Sequence, residues 1–293
     1  MPAYPRVDFL LLQLRLKQIH QSKRLGQHFL TDDALLGRIA DAAGAAPDTL
    51  AVEIGPGPGV LTTHLAARAG GVLAIELDRR LEQLHAESFG IYPEIRFHYA
   101  DALRVNLSEL AERRRAELGL ARIVLAGNLP FQITSPFLFA QCGPGVPWRR
   151  MALMVQKEVA QRVVSPPDRK DYGILTVKLA TWWRVVERFA VPAGRFQPPP
   201  RVDAAVLVFE PQPPPVDAAE AAAWWPGFSE FVDAAFAQRR KMLVNSLAAR
   251  WQLFPGRERA NAALARLGLD PRIRAEALSP GELARLHGHL ARA

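Results

Sequence analysis

The 293-residue chain has a single cysteine, Cys142. It can therefore form no internal disulfide and no cysteine-based zinc site, and it suits a reducing cytoplasm. No apolar run approaches the roughly 20 residues that span a bilayer. The most apolar early stretch, Phe9-Leu10-Leu11-Leu12, is soon followed by Arg15 and Lys17 without a small-residue cleavage site. Neither a membrane span nor a secretory leader is expected. Lysine is scarce, six residues among 37 basic ones, yet the net charge is +8. Such a balance points to a polyanion as partner, although an Arg-rich composition alone would also produce it. His64, His85 and His98 share no metal-ligand spacing with other ligands. They read as incidental, and no metal is expected. There is no internal repeat and no long heptad pattern, so a monomer is expected.

What is present is an alternation of short apolar runs with helical patterns, the signature of a parallel, doubly wound α/β sheet. Candidate strands are Leu50–Ile54, Val72–Glu76, Ile95–Tyr99, Ile123–Ala126 and Met151–Val155. "GVLTTHLAARAG" reads as a helix closed by Gly70-Gly71. A helix across Tyr172–Trp182, a strand at Arg184–Val191 and an alternating strand at Ala204–Glu210 follow. The last strand is expected to pair antiparallel with its neighbour. "PQPPPVDAAEAAAWWPG" then interrupts the pattern and marks a domain boundary. The expected division is 1–210, with a basic arm at 1–30, and an all-helical domain at 211–293. Trp182, Trp183, Trp224 and Trp225 read as core or domain-interface residues.

"VEIGPGPGVLT" is a strand, a glycine turn with Gly55, Gly57 and Gly59, and a helix. Such turns bring backbone close to a ligand at a helix N-terminus. The pattern also serves oxidoreductases or simply turns a corner. Its G-x-G-x-G spacing favours a nucleoside ligand over a dinucleotide. Glu76 ends the next strand, where a carboxylate can take ribose hydroxyls. Asp101 follows the third, as an acceptor for an exocyclic amine or as a helix N-cap. Asn128 closes the fourth, in "GNLPF". Ligands of open α/β sheets bind along that edge. Within "NLPF", the Asn128 side-chain oxygen and the Leu129 carbonyl can accept the two hydrogens of an adenine amine. Pro130 stiffens the turn and Phe131 can stack on the base.

These residues, with "KRLGQHFL", "QKEVAQRVVSPPDRKDYGILTV", "FQPPPRVDAAVLVF" and "FAQRRKMLVNSL", resemble the small-subunit ribosomal RNA adenine dimethyltransferase family over nearly the whole chain. The resemblance implies a Rossmann-like class I methyltransferase sheet, mostly parallel with the last strand antiparallel. It implies S-adenosyl-L-methionine as donor, and two adjacent adenines near the 3′ end of small-subunit rRNA as acceptors. The implied donor site is His28 and Leu30 in "GQHFL", Gly55 and Gly57, Glu76 for the ribose, Asp101 for the donor's adenine, and Asn128. The implied base grip is Asn128, Leu129, Pro130 and Phe131. Two positions depart from the family's commoner residues: His28 stands for Asn and Phe131 for Tyr.

The Lys/Arg clusters "QKEVAQR" and "RRK", in candidate helices, read as contacts to rRNA or an immature small subunit: Lys157, Arg162, Arg239, Arg240 and Lys241. The arm, with Arg15, Lys17, Lys23 and Arg24, is a similar candidate, ordering when donor or RNA binds. Two other readings use the same features. One is a large-subunit rRNA adenine methyltransferase of the antibiotic-resistance kind. The other is a non-catalytic assembly factor of the small subunit. A nicotinamide dehydrogenase is more distant, since "NLPF" offers no hydride acceptor site.

Overall fold

The structure, a computed structural model, describes residues 3–22, 25–248 and 256–291. Its strands are β1 (Phe29–Leu30), β2 (Thr49–Ile54), β3 (Gly71–Glu76), β4 (Ile95–Tyr99), β5 (Arg122–Asn128), β6 (Trp148–Gln156), β7 (Trp183–Val191), β8 (Phe196–Gln197) and β9 (Ala204–Pro211). Seven of them form one sheet in the order β4-β3-β2-β5-β6-β9-β7. From β4 through β6 every pairing is parallel, and β9 runs antiparallel to β6. Every residue of β2 and β3 is buried, which explains their nearly continuous apolar sequence: helices cover both faces of a parallel sheet. Among the described residues, no helix is long and apolar enough to cross a membrane.

The chain forms two compact units, and they interleave. The first comprises Met1–Phe137, Gly145–Ala160 and Val185–Pro211; the second comprises Leu138–Pro144, Gln161–Arg184 and Gln212–Ala293. A single cut after residue 210 misses this, because the helix Ile174–Trp182 packs with the later helices. Lys178 pairs with Asp233 at 2.8 Å, and the Tyr172 hydroxyl donates to the Leu278 carbonyl at 2.6 Å. Trp224 and Trp225 pack against the second unit's core, where Trp224 lies 4.5 Å from the Phe228 ring.

Two expectations need correction. The helix after the glycine turn ends at Ala66, short of Gly70-Gly71. Those glycines are there for space: a Cβ would come within 2.3 Å of the Pro47 carbonyl oxygen at 70 and 2.4 Å of Leu118 at 71. The boundary segment is partly helical, since a helix begins at Ala221 and carries Pro226 inside it. The arm contains a helix, Val7–Leu16, that buries Val7, Leu10 and Leu14 in the first unit's core. Lys17 pairs with Glu87 at 2.6 Å, and Arg15 donates to Gln197 at 3.2 Å. Lys23 and Arg24 lie outside the described residues.

Gly127 sets how closely β2 and β5 approach. It sits opposite Ile54, and a Cβ there would lie 2.7 Å from the Ile54 carbonyl oxygen. Backbone cannot yield there as a flexible side chain would. Gly127→Ala should therefore cost about 1–3 kcal/mol of stability, read as a lower denaturation midpoint. An unchanged midpoint would contradict this packing.

Candidate active site at the strand ends

The order β4-β3-β2-β5 lines up four strand ends on one edge: Asp101 beyond β4, Glu76 closing β3, Gly55 beyond β2 and Asn128 closing β5. A cavity opens there within the first unit. Its walls include His28, Gly55, Gly57, Glu76, Asp101 and the corner Asn128 to Phe131. Leu30 is not among them: at 2% exposure it packs in the core. Lys157, Arg162, Arg239, Arg240 and Lys241 do not line the cavity either.

The corner is held on both sides. The Leu129 amide donates to the Met154 carbonyl at 3.1 Å, tying the corner to β6. The Pro130 carbonyl accepts from Ile133 N at 3.0 Å and from Thr134 Oγ1 at 3.2 Å, closing a turn into the next helix. Asn128 Nδ2 donates to the His28 carbonyl at 2.8 Å. A carbonyl can only accept, so the amide orientation is fixed chemically. Among the described residues nothing donates to Asn128 Oδ1 or to the Leu129 carbonyl. Both acceptors thus lack a protein donor, Asn128 being half-buried and Leu129 buried. The His28 ring lies nearly parallel to that of Phe131, with centroids 5.9 Å apart, and its Nδ1 lies 2.8 Å from the Pro198 carbonyl oxygen.

Glu76 is buried, and its carboxylate accepts from Gly57 N at 3.0 Å and Asp78 N at 2.7 Å. Burial outweighs these bonds and pushes its carboxyl up to about 7. Two amides leave part of its acceptor capacity free. Gly57 must be glycine, with φ of 56° and a Phe29 ring carbon 2.6 Å from where a Cβ would sit. Glu53, one strand inward and fully buried, has its carboxyl pushed up to about 8 by desolvation and takes the Thr62 hydroxyl at 2.6 Å.

Asp101 Oδ1 accepts from Leu103 N at 2.9 Å, and Oδ2 lies 3.5 Å from Arg104 Nε. It caps no helix, since Asn106 caps the helix Leu107–Glu117.

Sequence reasoning missed three contributors. Gln27 donates to Asp78 at 3.0 Å and so fastens the segment before β1 to the end of β3. Leu77 lines the cavity while remaining half exposed. His85, expected to be incidental, is 2% exposed and bonded to the glycine turn at Gly57. Only the acid following Glu76 in "ELDR" gave any local signal.

The basic residues differ from expectation. Arg239, Arg240 and Lys241 lie in the turn between the helices Ala221–Phe236 and Leu243–Ala248, because the expected continuous helix breaks there. Arg239 is engaged by Glu276 at 3.0 Å and by the Lys170 carbonyl at 2.8 Å. Lys157 and Arg162 lie on the helix Lys157–Val163, with Lys157 3.9 Å from Asp203.

The sequence model of the family described as "Ribosomal RNA adenine dimethylase" matches residues 19–291. The "Ribosomal RNA small subunit methyltransferase A" of Geobacillus kaustophilus is 39% identical over 274 residues, covering 92% of this chain and 90% of that protein. A dimethyladenosine transferase from Plasmodium falciparum has a similar fold, with TM-score 0.69, 21% identity, and coverage of 88% of this chain and 96% of that one. The 23S rRNA methyltransferase ErmE has TM-score 0.63 and 27% identity, with coverage of 90% and 99%. The chain belongs to the ribosomal RNA adenine dimethylase family.

Proposed function

We propose that the protein is an S-adenosyl-L-methionine-dependent rRNA (adenine-N6,N6)-dimethyltransferase. Its substrate is two adjacent adenines near the 3′ end of small-subunit rRNA in an immature subunit, and it works as a cytoplasmic monomer. The observation that carries the reading is the pair of acceptors without a protein donor, Asn128 Oδ1 and the Leu129 carbonyl, on a corner that lines one cavity with Phe131, Gly57 and Glu76. The higher identity to a small-subunit enzyme favours it over the 23S-type alternative.

The residues present fit the donor. Glu76 retains acceptor capacity for ribose hydroxyls, Asp101 stands at the next strand end for the adenine amine, and Gly55 and Gly57 leave the cradle free of side chains. His28 and Asn128 complete it, while Leu30 stays in the core behind. When bound, the donor supplies an electrophilic sulfonium methyl. The target amine is a poor nucleophile because its lone pair is delocalised into the ring. Accepting both its hydrogens, Asn128 and Leu129 favour a pyramidal nitrogen with the lone pair turned outward. No strong general base is needed, because the proton leaves to solvent after attack. The work of the site is positioning and charge stabilisation. Exposed basic residues, Lys157, Arg162, Arg240 and Lys241, with Lys23 and Arg24, would hold rRNA phosphates; Arg239 would first have to leave Glu276.

Phe131 should contribute by stacking. Phe131→Ala should lower kcat/KM by about tenfold or more, from roughly 1–3 kcal/mol of lost base stacking. Phe131→Tyr should be nearly neutral, and a large loss in that variant would contradict the stacking role. The function itself is tested by labelled methyl transfer onto unmodified small subunits, with mapping of the product. Two dimethylated neighbouring adenines near the 3′ end are expected. Label in large-subunit rRNA, or none, would overturn the reading.

A further inference from the structure

His85 joins two parts of the first unit that the sequence keeps apart. It sits on the helix Glu82–Phe89 and is nearly inaccessible. Its Nε2 lies 2.7 Å from the Gly57 carbonyl oxygen and its Nδ1 2.7 Å from the Tyr99 hydroxyl. The carbonyl can only accept, so Nε2 carries the proton. Nδ1 is then bare and accepts from Tyr99. The ring cannot turn easily, because Phe97 stacks on it at 3.9 Å and 13°, with Phe89 edge-on at 6.5 Å.

On the other side of the same residue, the Gly57 amide donates to Glu76. One glycine is thus clamped at both its backbone groups. A chain of bonds runs from Tyr99 on β4 through His85 and Gly57 to the carboxylate that closes β3. Remove the imidazole, and the buried Gly57 carbonyl and Tyr99 hydroxyl lose their partners. The glycine turn then relaxes, and Glu76 loses a fixed donor. We propose that His85 is a positioning residue for the donor site, holding the Gly57 peptide so that Glu76 is aimed at the donor's ribose. This rests on the donor-site reading above.

The experiment is calorimetric titration of the full-length protein with S-adenosylhomocysteine. Donor KM, kcat and ligand-free melting temperature are measured alongside for the parent, His85→Leu, His85→Gln and Tyr99→Phe. His85→Leu should weaken binding by about tenfold or more, raising donor KM in proportion while kcat changes far less. Glutamine offers one donor and one acceptor, so His85→Gln should recover most of the affinity. Tyr99→Phe, which leaves the ring in place, should cost about threefold. Parental affinity in His85→Leu overturns the inference. So does an equal loss in the Leu and Gln variants that tracks a lower melting temperature, since that is packing alone. If His85→Leu does not fold, parental affinity in Tyr99→Phe overturns it. A parent that binds no S-adenosylhomocysteine overturns the donor-site reading and this inference together.

Discussion

Asn128→Ala should lower methyl transfer by about a hundred- to a thousandfold, the range for deleting one preorganised polar contact to a reacting group. The melting temperature and small-subunit binding should change little. The reason is geometric. Oδ1 is free only because Nδ2 is committed to the His28 carbonyl, which fixes the amide's direction. Alanine removes the acceptor together with the Nδ2 bond to the His28 carbonyl, but leaves Leu129 bonded to Met154 and Pro130 capped by Ile133, so the corner persists without its function. A variant within a few-fold of the parent would exclude Asn128 from the chemistry. A non-catalytic assembly factor would keep its phenotype in this variant, so the same substitution separates those two readings.

Donor affinity should depend on pH through Glu76. Its carboxyl sits at about 7 in the folded protein against an ordinary 4.5, raised chiefly by burial. Between those values the folded protein holds a proton that the unfolded chain has released. Stability from this group is therefore full below the ordinary value and falls as pH rises toward 7. Ribose hydroxyls donate best to the ionised form, so binding must pull the pKa down and release a proton. Affinity should rise as pH climbs through about 7 and level off above it, with proton uptake by buffer visible in calorimetry. Glu76→Gln should remove this dependence and weaken binding at about pH 8 by roughly 10- to 100-fold, the loss of a hydrogen bond to a charged group. An affinity flat with pH in the parent would exclude an ionised Glu76 as the ribose acceptor.

The candidate site's shared edge was legible where its residues end successive apolar runs. Gly55, Glu76, Asp101 and Asn128 each follow a strand that the sequence marks by hydrophobicity alone, and a parallel sheet aligns them. β9 was legible as a strand, but the antiparallel partner the structure gives it is β6. Elements made by distant pairing were not legible. β1 and β8 are two residues each and pair Phe29 with Gln197. Nothing local distinguishes them from loop. Leu30 sits within a matching motif yet turns into the core, a choice made by packing. His85 looked incidental because its partners, Gly57 and Tyr99, lie on other elements. The interleaved units escaped for the same reason: Tyr172 belongs with Leu278 through a buried contact that composition does not mark.

The most direct measurement is a crystal structure with S-adenosylhomocysteine and adenosine bound together. The adenosine amine should lie within hydrogen-bond distance of both Asn128 Oδ1 and the Leu129 carbonyl, its ring over Phe131 and its nitrogen facing the sulfur. A base bound away from that corner, or a corner closed over by neighbouring side chains, would contradict the account.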